Sequence, residues 1–411
     1  MAVIKAFKAI RPRKDMAKTI AALPYDVYNR EEAASVVSAN PLSFLSIDRA
    51  ETGFGPEVDT YSEQVYKRAH DRLWEMIEQG YFIEDGQECL YLYELEMKGH
   101  IQTGIVACAS VEDYVNNVIK KHENTRADKE ADRINHVTAC KAQTGPIFLA
   151  YKEEAVISAI IEDIKQKNGP EYDFISDDGV RHTVYVIDDT ATIERLIGLF
   201  DGVSSLYIAD GHHRAASAVK AGLKLRKEAG NAPGEYDGFL SVLFADTQLE
   251  IMDYNRIVKD LNGYTVEDFL SKVREKALVS DASESVLKPA GRGECVMYLA
   301  GKWYRLNFKD ELKIDDPVEG MDVSILQNNI LRPLLNIDDP RTNDRIEFAG
   351  GIRGPEYLKE RCDELGSGLA FYMYPVSMKE LFDVADAGLL MPPKSTWFEP
   401  KLRSGLFIHK I

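Results

Sequence analysis

One stretch of this 411-residue chain gathers more reactive side chains than its surroundings: Tyr207-Ile208-Ala209-Asp210-Gly211-His212-His213-Arg214-Ala215-Ala216. An apolar run that reads as a strand enters Asp-Gly, and a helix is predicted to start directly after it. Such a turn leaves backbone N–H groups free at the positive end of a helix. They attract an anion, and Gly211 lets that anion approach closely. Arg214 supplies a planar fork of donors suited to phosphate oxygens. His212 and His213 can donate hydrogen bonds or take up protons near neutral pH. Asp210 suits Mg²⁺ or a proton. The plainer alternative makes Asp210 a helix cap and packs one histidine inward. Four ionisable groups within the five residues 210–214 favour a site.

A second concentration runs from Lys120 to His136. If it is helical, His122, Arg126, Lys129, Arg133 and His136 share one stripe. Cations on one face of an acidic protein need a reason, and a polyphosphate supplies one. Thr125 adds a hydroxyl, and Glu123 lies among the cations. The plainer alternative is a solvated helix whose acids neutralise its bases. His122-Glu123 superficially suggests a zinc-protease helix, but Arg126 occupies the place of the second histidine, which excludes that class. Lesser candidates are Tyr25 and Asp26 in a loop, the Asp339-Pro340-Arg341-Thr342-Asn343 turn, Gly350-Gly351-Ile352-Arg353-Gly354, and Lys394, Ser395 and Thr396 after Pro392-Pro393. Gly-Gly-x-Arg-Gly suits an anion-binding nest with Arg353. The Walker A and GxGxxG patterns are both absent, so neither a P-loop enzyme nor a Rossmann dehydrogenase is supported.

The elements that must position these groups alternate along the chain. Hairpins are predicted around Lys98–Gly99 and Ala300–Gly301. Buried strands are predicted at 144–151 and 239–246, and helices over 59–79, 111–142 and 212–230. The mixture predicts an α/β (α+β) fold of mixed sheets with flanking helices. Three regions are expected: a core α/β domain over 1–265, a small α+β hairpin subdomain over 266–315, and a C-terminal α/β segment over 316–411 that packs back on the core.

Charge narrows the function classes. The chain has 50 Lys and Arg against 67 Asp and Glu, a formal charge of −17. So acidic a protein is a poor non-specific ligand for nucleic acid or an anionic membrane, and any anion site must be local. Five cysteines, an odd number with no CxxC pair, predict a reduced, cytoplasmic protein. No apolar run reaches the length needed to span a bilayer. The expected partner is a small molecule, with neither nucleic acid nor membrane, and an oligomer is compatible with the sequence.

These motifs together resemble the bacterial and archaeal family catalogued as domain of unknown function 1015. The matching segments are LPYDVYNREEA, KHENTRADKEADR, GPIFLAY, LYIADGHHRAASA, NRIVKDL, NIDDPRTNDRIEFAGGIRG and ADAGLLMPPKSTWFEPKLRSGLFI, which span nearly the whole chain. Tyr254 and Asn255 stand where the family usually has Thr and His. Over 204–218 the Asp-Gly-His-His-Arg turn also resembles the ParB/sulfiredoxin-like superfamily, whose free-serine kinases carry Asp-Gly-His-x-Arg. That resemblance implies a ParB/sulfiredoxin-like core elaborated by interleaved subdomains. It implies a phosphotransferase acting on a small hydroxylated metabolite, with free L-serine or O-phosphoserine the first guess and ATP, ADP or pyrophosphate as donor. Phosphoryl transfer needs positioning, charge neutralisation and a base near the acceptor hydroxyl, which assigns the roles expected here. Arg214, Lys129 and Arg133 hold phosphates, with Gly211, His122, Thr125, Arg126, Arg353 and Lys394 beside them. Asp210 holds Mg²⁺ or orients a histidine, and His212 and His213 take part in catalysis. Glu123 takes the hydroxyl proton, with Asp26 in reserve, and Tyr25, Asp26, Ser395 and Thr396 contact substrate. A phosphomonoester hydrolase and a nucleotide-binding switch without turnover are the alternatives.

Overall fold

The structure, a computed structural model, describes residues 1–366 and 368–411. The chain forms two units, Met1–Leu249 with Pro400–Ile411, and Glu250–Glu399. The expected boundaries at 265 and 315 do not coincide with them. The reason is strand pairing. The predicted hairpin of 266–315 does not stand alone, because Glu294–Leu299 pairs with Leu369–Met373, which pairs in turn with Tyr254–Val258. One six-stranded sheet therefore draws on residues 254–373 and makes the second unit.

The first unit is built on a nine-stranded mixed sheet. In chain order its strands are β1 (Ile4–Lys5), β2 (Leu90–Met97), β3 (His100–Ser110), β4 (Ile119–Lys120), β5 (Ile147–Tyr151), β6 (Tyr172–Ile175), β7 (Arg181–Ile187), β8 (Leu206–Asp210) and β9 (Gly238–Ala245). Their spatial order is β4-β8-β5-β9-β3-β2-β7-β6, with β1 on β3. β9 is buried at every position, as expected for a central strand covered on both faces. The β2–β3 hairpin turns through Lys98 and Gly99, both at positive φ, as its sequence predicts.

Three helices bear on the site: α1 (Glu63–Glu78), α2 (Ala127–Cys140) and α3 (His212–Glu228). α2 packs against both others. Its Cys140 joins the apolar cluster of Val65, Ala69, Leu73 and Met76 on α1. On the other flank, the hydroxyl of Ser217 on α3 donates to the Glu130 carbonyl at 3.1 Å. The single long helix expected over 111–142 is not formed. A short helix ends at Val115, and Asn117 takes a left-handed φ of 59°. β4 then pairs in parallel with β8, and 121–126 run as a connection to α2. Asparagine tolerates that conformation better than most residues, so the break has a local cause. Among the described residues no helix is long and apolar enough to cross a membrane. All five cysteines are free and buried.

Gly104 on β3 shows how tightly the sheet is covered. A Cβ there would lie 2.6 Å from Val242 Cγ1 and 2.8 Å from the Phe244 ring. Gly104→Ala is expected to cost about 1–3 kcal/mol in a urea unfolding titration. Gly86→Ala, where a Cβ meets nothing within 4 Å, should leave the midpoint unchanged. Equal midpoints for the two variants would contradict this packing.

Candidate active site

β8 ends in Asp210, and Gly211 follows at φ 92°, ψ 32°, the left-handed region that glycine enters freely. α3 begins at the next residue, so strand turns into helix across one glycine. A Cβ at Gly211 would lie 3.1 Å from the Arg214 guanidinium. Arg214 folds back to place Nη2 3.0 Å from Asp210 Oδ2, and its Nη1 donates to the Pro146 carbonyl at 2.6 Å. Lys401, from the C-terminal segment of the same unit, sets Nζ 3.4 Å from the other oxygen, Oδ1. Burial alone would raise the Asp210 pKa. Lys401 and Arg214 prevail, and hold it down to about 2.

The Asp210 carboxyl is therefore held ionised, with a cation at each oxygen. A carboxyl held that low is a poor proton acceptor. Among the described residues no group of three His, Cys, Asp or Glu side chains is arranged to hold a metal ion.

The two imidazoles after the turn meet the connection before α2. His122 and His212 are 1% and 5% exposed. Their ring centroids lie 4.4 Å apart at 85°. The His122 backbone N–H points at His212 Nε2 from 3.5 Å. An acceptor at Nε2 puts the His212 proton on Nδ1, which faces Glu123 Oε2 at 3.7 Å. Burial, with His122 alongside, pushes the His212 pKa well below its ordinary value. Burial brings His122 to about 4 despite Asp210 nearby. His213 accepts the Arg126 backbone N–H at 3.0 Å. Burial lowers its pKa too, with Asp26 and Glu130 opposing. All three rings are thus neutral at pH 7.

The expected cationic stripe does not exist as one face. His122 and Arg126 precede α2, and only Lys129, Arg133 and His136 ride on it. Arg126 is exposed and paired with Asp128 at 2.8 Å. Thr125 donates to Glu130, which also holds Lys220. Arg133 is buried, with Asp132 2.8 Å away and its guanidinium 4.1 Å above the Tyr25 ring. His136 faces the Ile47 carbonyl at 3.2 Å, and burial lowers its pKa. Lys129 reaches the Tyr61 hydroxyl at 3.1 Å. Below these groups lies a cavity of about 260 Å³, whose walls include Tyr25, Asp26, Arg49, Glu51, Lys129 and Arg133. A second space of about 30 Å³ touches Arg133 and Arg214, and the buried Arg214 Nε has no hydrogen-bond partner.

The remaining candidates lie in the second unit. The Arg353 guanidinium sits 4.6 Å from the Tyr357 ring. Ser395 donates to the Pro392 carbonyl at 2.6 Å, and Lys394 and Thr396 flank it in sequence. The Gly350-Gly351 pair serves packing. A Cβ would lie 2.5 Å from the Trp397 ring at the first and 2.4 Å from Asp253 Oδ1 at the second. Sequence reasoning missed Lys401, Arg49 and Glu51. Lys401 stands 191 residues from Asp210, and only the return of the chain into the first unit brings it there.

A family model described as protein of unknown function (DUF1015) matches residues 4–324. No curated protein matches. Among solved structures, SbnI with a C-terminal truncation, from Staphylococcus aureus, is 12% identical with a TM-score of 0.39, over 74% of this chain and 86% of that one. A free serine kinase variant in complex with AMP is 14% identical with a TM-score of 0.36, over 74% and 91%. A conserved hypothetical protein from Pyrococcus furiosus is 14% identical with a TM-score of 0.35, over 74% and 94%. The likeness to these structures extends no further than broad architecture.

The buried imidazoles set a pH dependence. His122 stays neutral in the folded protein down to about 4, whereas the unfolded chain takes up that proton near 6.5. Protons then favour the unfolded state, so stability falls as pH drops through this window, by about 3 kcal/mol from His122 alone. Urea midpoints between pH 7.5 and 4.5 check this. His122→Gln should flatten the slope, and an unchanged slope would contradict the buried neutral ring.

Proposed function

The chain belongs to the DUF1015 family of proteins of unknown function, and we propose that its first unit is a phosphotransferase for a small hydroxylated metabolite. Free L-serine is the first acceptor to test, and ATP, ADP or pyrophosphate the donor. The observation that carries this reading is the meeting of a carboxylate–imidazole pair with a cation-lined helix start. Glu123 faces His212 at 3.7 Å, and the turn is flanked by Arg214, two residues further along α3, and by Lys401 of the C-terminal segment. Asp210 holds both cations at the turn, and the buried Arg214 Nε, which has no hydrogen-bond partner, is a donor available to phosphoryl oxygens.

In this reading the acceptor hydroxyl gives its proton to the Glu123 carboxylate as its oxygen bonds to phosphorus. The bond from phosphorus to the donor's leaving oxygen breaks, and that oxygen keeps the electron pair. Arg214 and Lys401 neutralise the charge that spreads over the phosphoryl oxygens. The His212 Nδ1–H orients the Glu123 carboxylate without adding a charge. The first unit thereby supplies positioning and electrostatics, which is most of what phosphoryl transfer needs.

The test incubates the full chain with L-serine and, separately, ATP, ADP or pyrophosphate, and reads phosphoserine by mass. Glu123→Gln should lower turnover by about 10²–10⁴-fold and leave donor affinity by calorimetry within a few-fold of the parent. Full turnover in that variant removes Glu123 as the base. Donor binding without any phosphorylated acceptor removes the transferase reading.

A further inference from the structure

The cavity beside α2 carries two charges that the protein leaves unmatched. Most of its ionic wall is paired internally. Arg49 meets Glu51 at 2.6 Å, and Arg133 meets Asp132 at 2.8 Å. Asp132 also accepts the Tyr66 hydroxyl at 3.1 Å, and Asp48 accepts that of Thr144 at 2.9 Å. Lys129 and Asp26 line the same cavity and differ from these. The Lys129 ammonium bonds the Tyr61 hydroxyl at 3.1 Å. That contact takes one of its three donors and cancels no charge. Among the described residues no carboxylate pairs with Lys129, and Asp26 neither accepts a hydrogen bond nor pairs with a cation.

A third group is idle in the same wall. Tyr25 is 7% exposed, with the Arg133 guanidinium 4.1 Å from its ring centroid. Its hydroxyl has no hydrogen-bond partner among the described residues, yet protein does not seal it off. Burial pushes its pKa up to about 12, so it remains a neutral donor. A buried polar group without a partner is costly, and a ligand that bonds it removes the cost. Tyr25 and Arg133 line both the larger cavity and the small space that touches Arg214. Asp26 in turn acts on His213 of α3. This wall therefore adjoins the turn.

These features define the occupant. A volume of about 260 Å³ falls short of the roughly 300–1,000 Å³ that drug-sized ligands fill, so the ligand is a small metabolite. One unmatched cation and one unmatched carboxylate, in a wall otherwise balanced, suit a ligand with one charge of each sign. A single ammonium matches a carboxylate better than a phosphate dianion. We infer that the cavity binds a hydroxylated α-amino acid as its zwitterion, with the carboxylate on Lys129, the ammonium on Asp26 and the side-chain hydroxyl on Tyr25. Its role as the acceptor pocket rests on the phosphotransferase reading; the binding does not.

Calorimetry on the full chain without any donor tests the site. L-serine, L-threonine and L-homoserine are titrated beside ethanolamine, which lacks the carboxylate, and glycerate, which lacks the ammonium. At least one of the three amino acids should bind, and ethanolamine and glycerate about tenfold more weakly or less. Lys129→Met should erase the preference over ethanolamine, and Asp26→Asn the preference over glycerate. Tyr25→Phe should weaken the hydroxylated amino acid several-fold and leave L-alanine unchanged. No binding of any of the three at millimolar concentration overturns the site, as do preferences that survive Lys129→Met and Asp26→Asn. Ethanolamine or glycerate binding as tightly as the amino acids overturns the choice of ligand. Amino-acid binding without phosphorylation by any donor removes the phosphotransferase reading and leaves the site standing. Phosphoserine formed with an unchanged serine KM in Lys129→Met and Asp26→Asn does the reverse.

Discussion

The carboxylate of Asp210 is the constraint on which the candidate active site depends. It stands at the end of a buried strand and meets a cation at each oxygen, Arg214 from the first turn of α3 and Lys401 from the C-terminal segment. Without that carboxylate the two cations would repel each other in a partly desolvated corner. With it, one end of the sheet, one helix and the last residues of the unit are tied at a single point. Gly211 favours the tie, because its φ of 92° suits glycine and a Cβ there would crowd the Arg214 guanidinium at 3.1 Å.

This arrangement separates fixed charge from switchable protons. Asp210 is held ionised against burial by Lys401 and Arg214. His122, His212 and His213 are held neutral by burial. A protonated imidazole beside Arg214 and Lys401 would add a third positive charge to the turn. Neutral rings accept backbone N–H groups from the connection before α2, and so bring Glu123 to the turn without competing for its proton.

The turn itself was legible in the sequence because its signals are local. An apolar strand, an Asp-Gly step and a helix start lie within ten residues, and each obeys a short-range rule. The hairpins at Lys98–Gly99 and Ala300–Gly301 were legible for the same reason. The helix expected over 111–142 is broken at Asn117, whose left-handed φ ends the first turn and lets β4 leave to pair with β8. Lys401 and the partition into units depend on which distant strands pair, and no periodicity reports that. Asp210 stands out in the sequence by its place between strand and helix, but its partners do not. Whether an aspartate binds metal, takes a proton or neutralises cations depends on what faces its oxygens, and one facing group lies near the other end of the chain.

Charge pairing also explains why the cavity beside α2 differs in character from the turn. Arg49 is satisfied by Glu51 and by the Tyr25 and Tyr28 carbonyls. Arg133 is satisfied by Asp132, and Asp48 accepts the Thr144 hydroxyl. Such a wall presents oriented dipoles and balanced ion pairs, with little net field. At the turn, Arg214 and Lys401 both face the one carboxylate of Asp210. A chain carrying −17 overall can favour an anion only where cations are gathered locally. Binding at such a place depends on short-range contacts with Arg214 and Lys401, because the field of the whole molecule opposes an approaching anion.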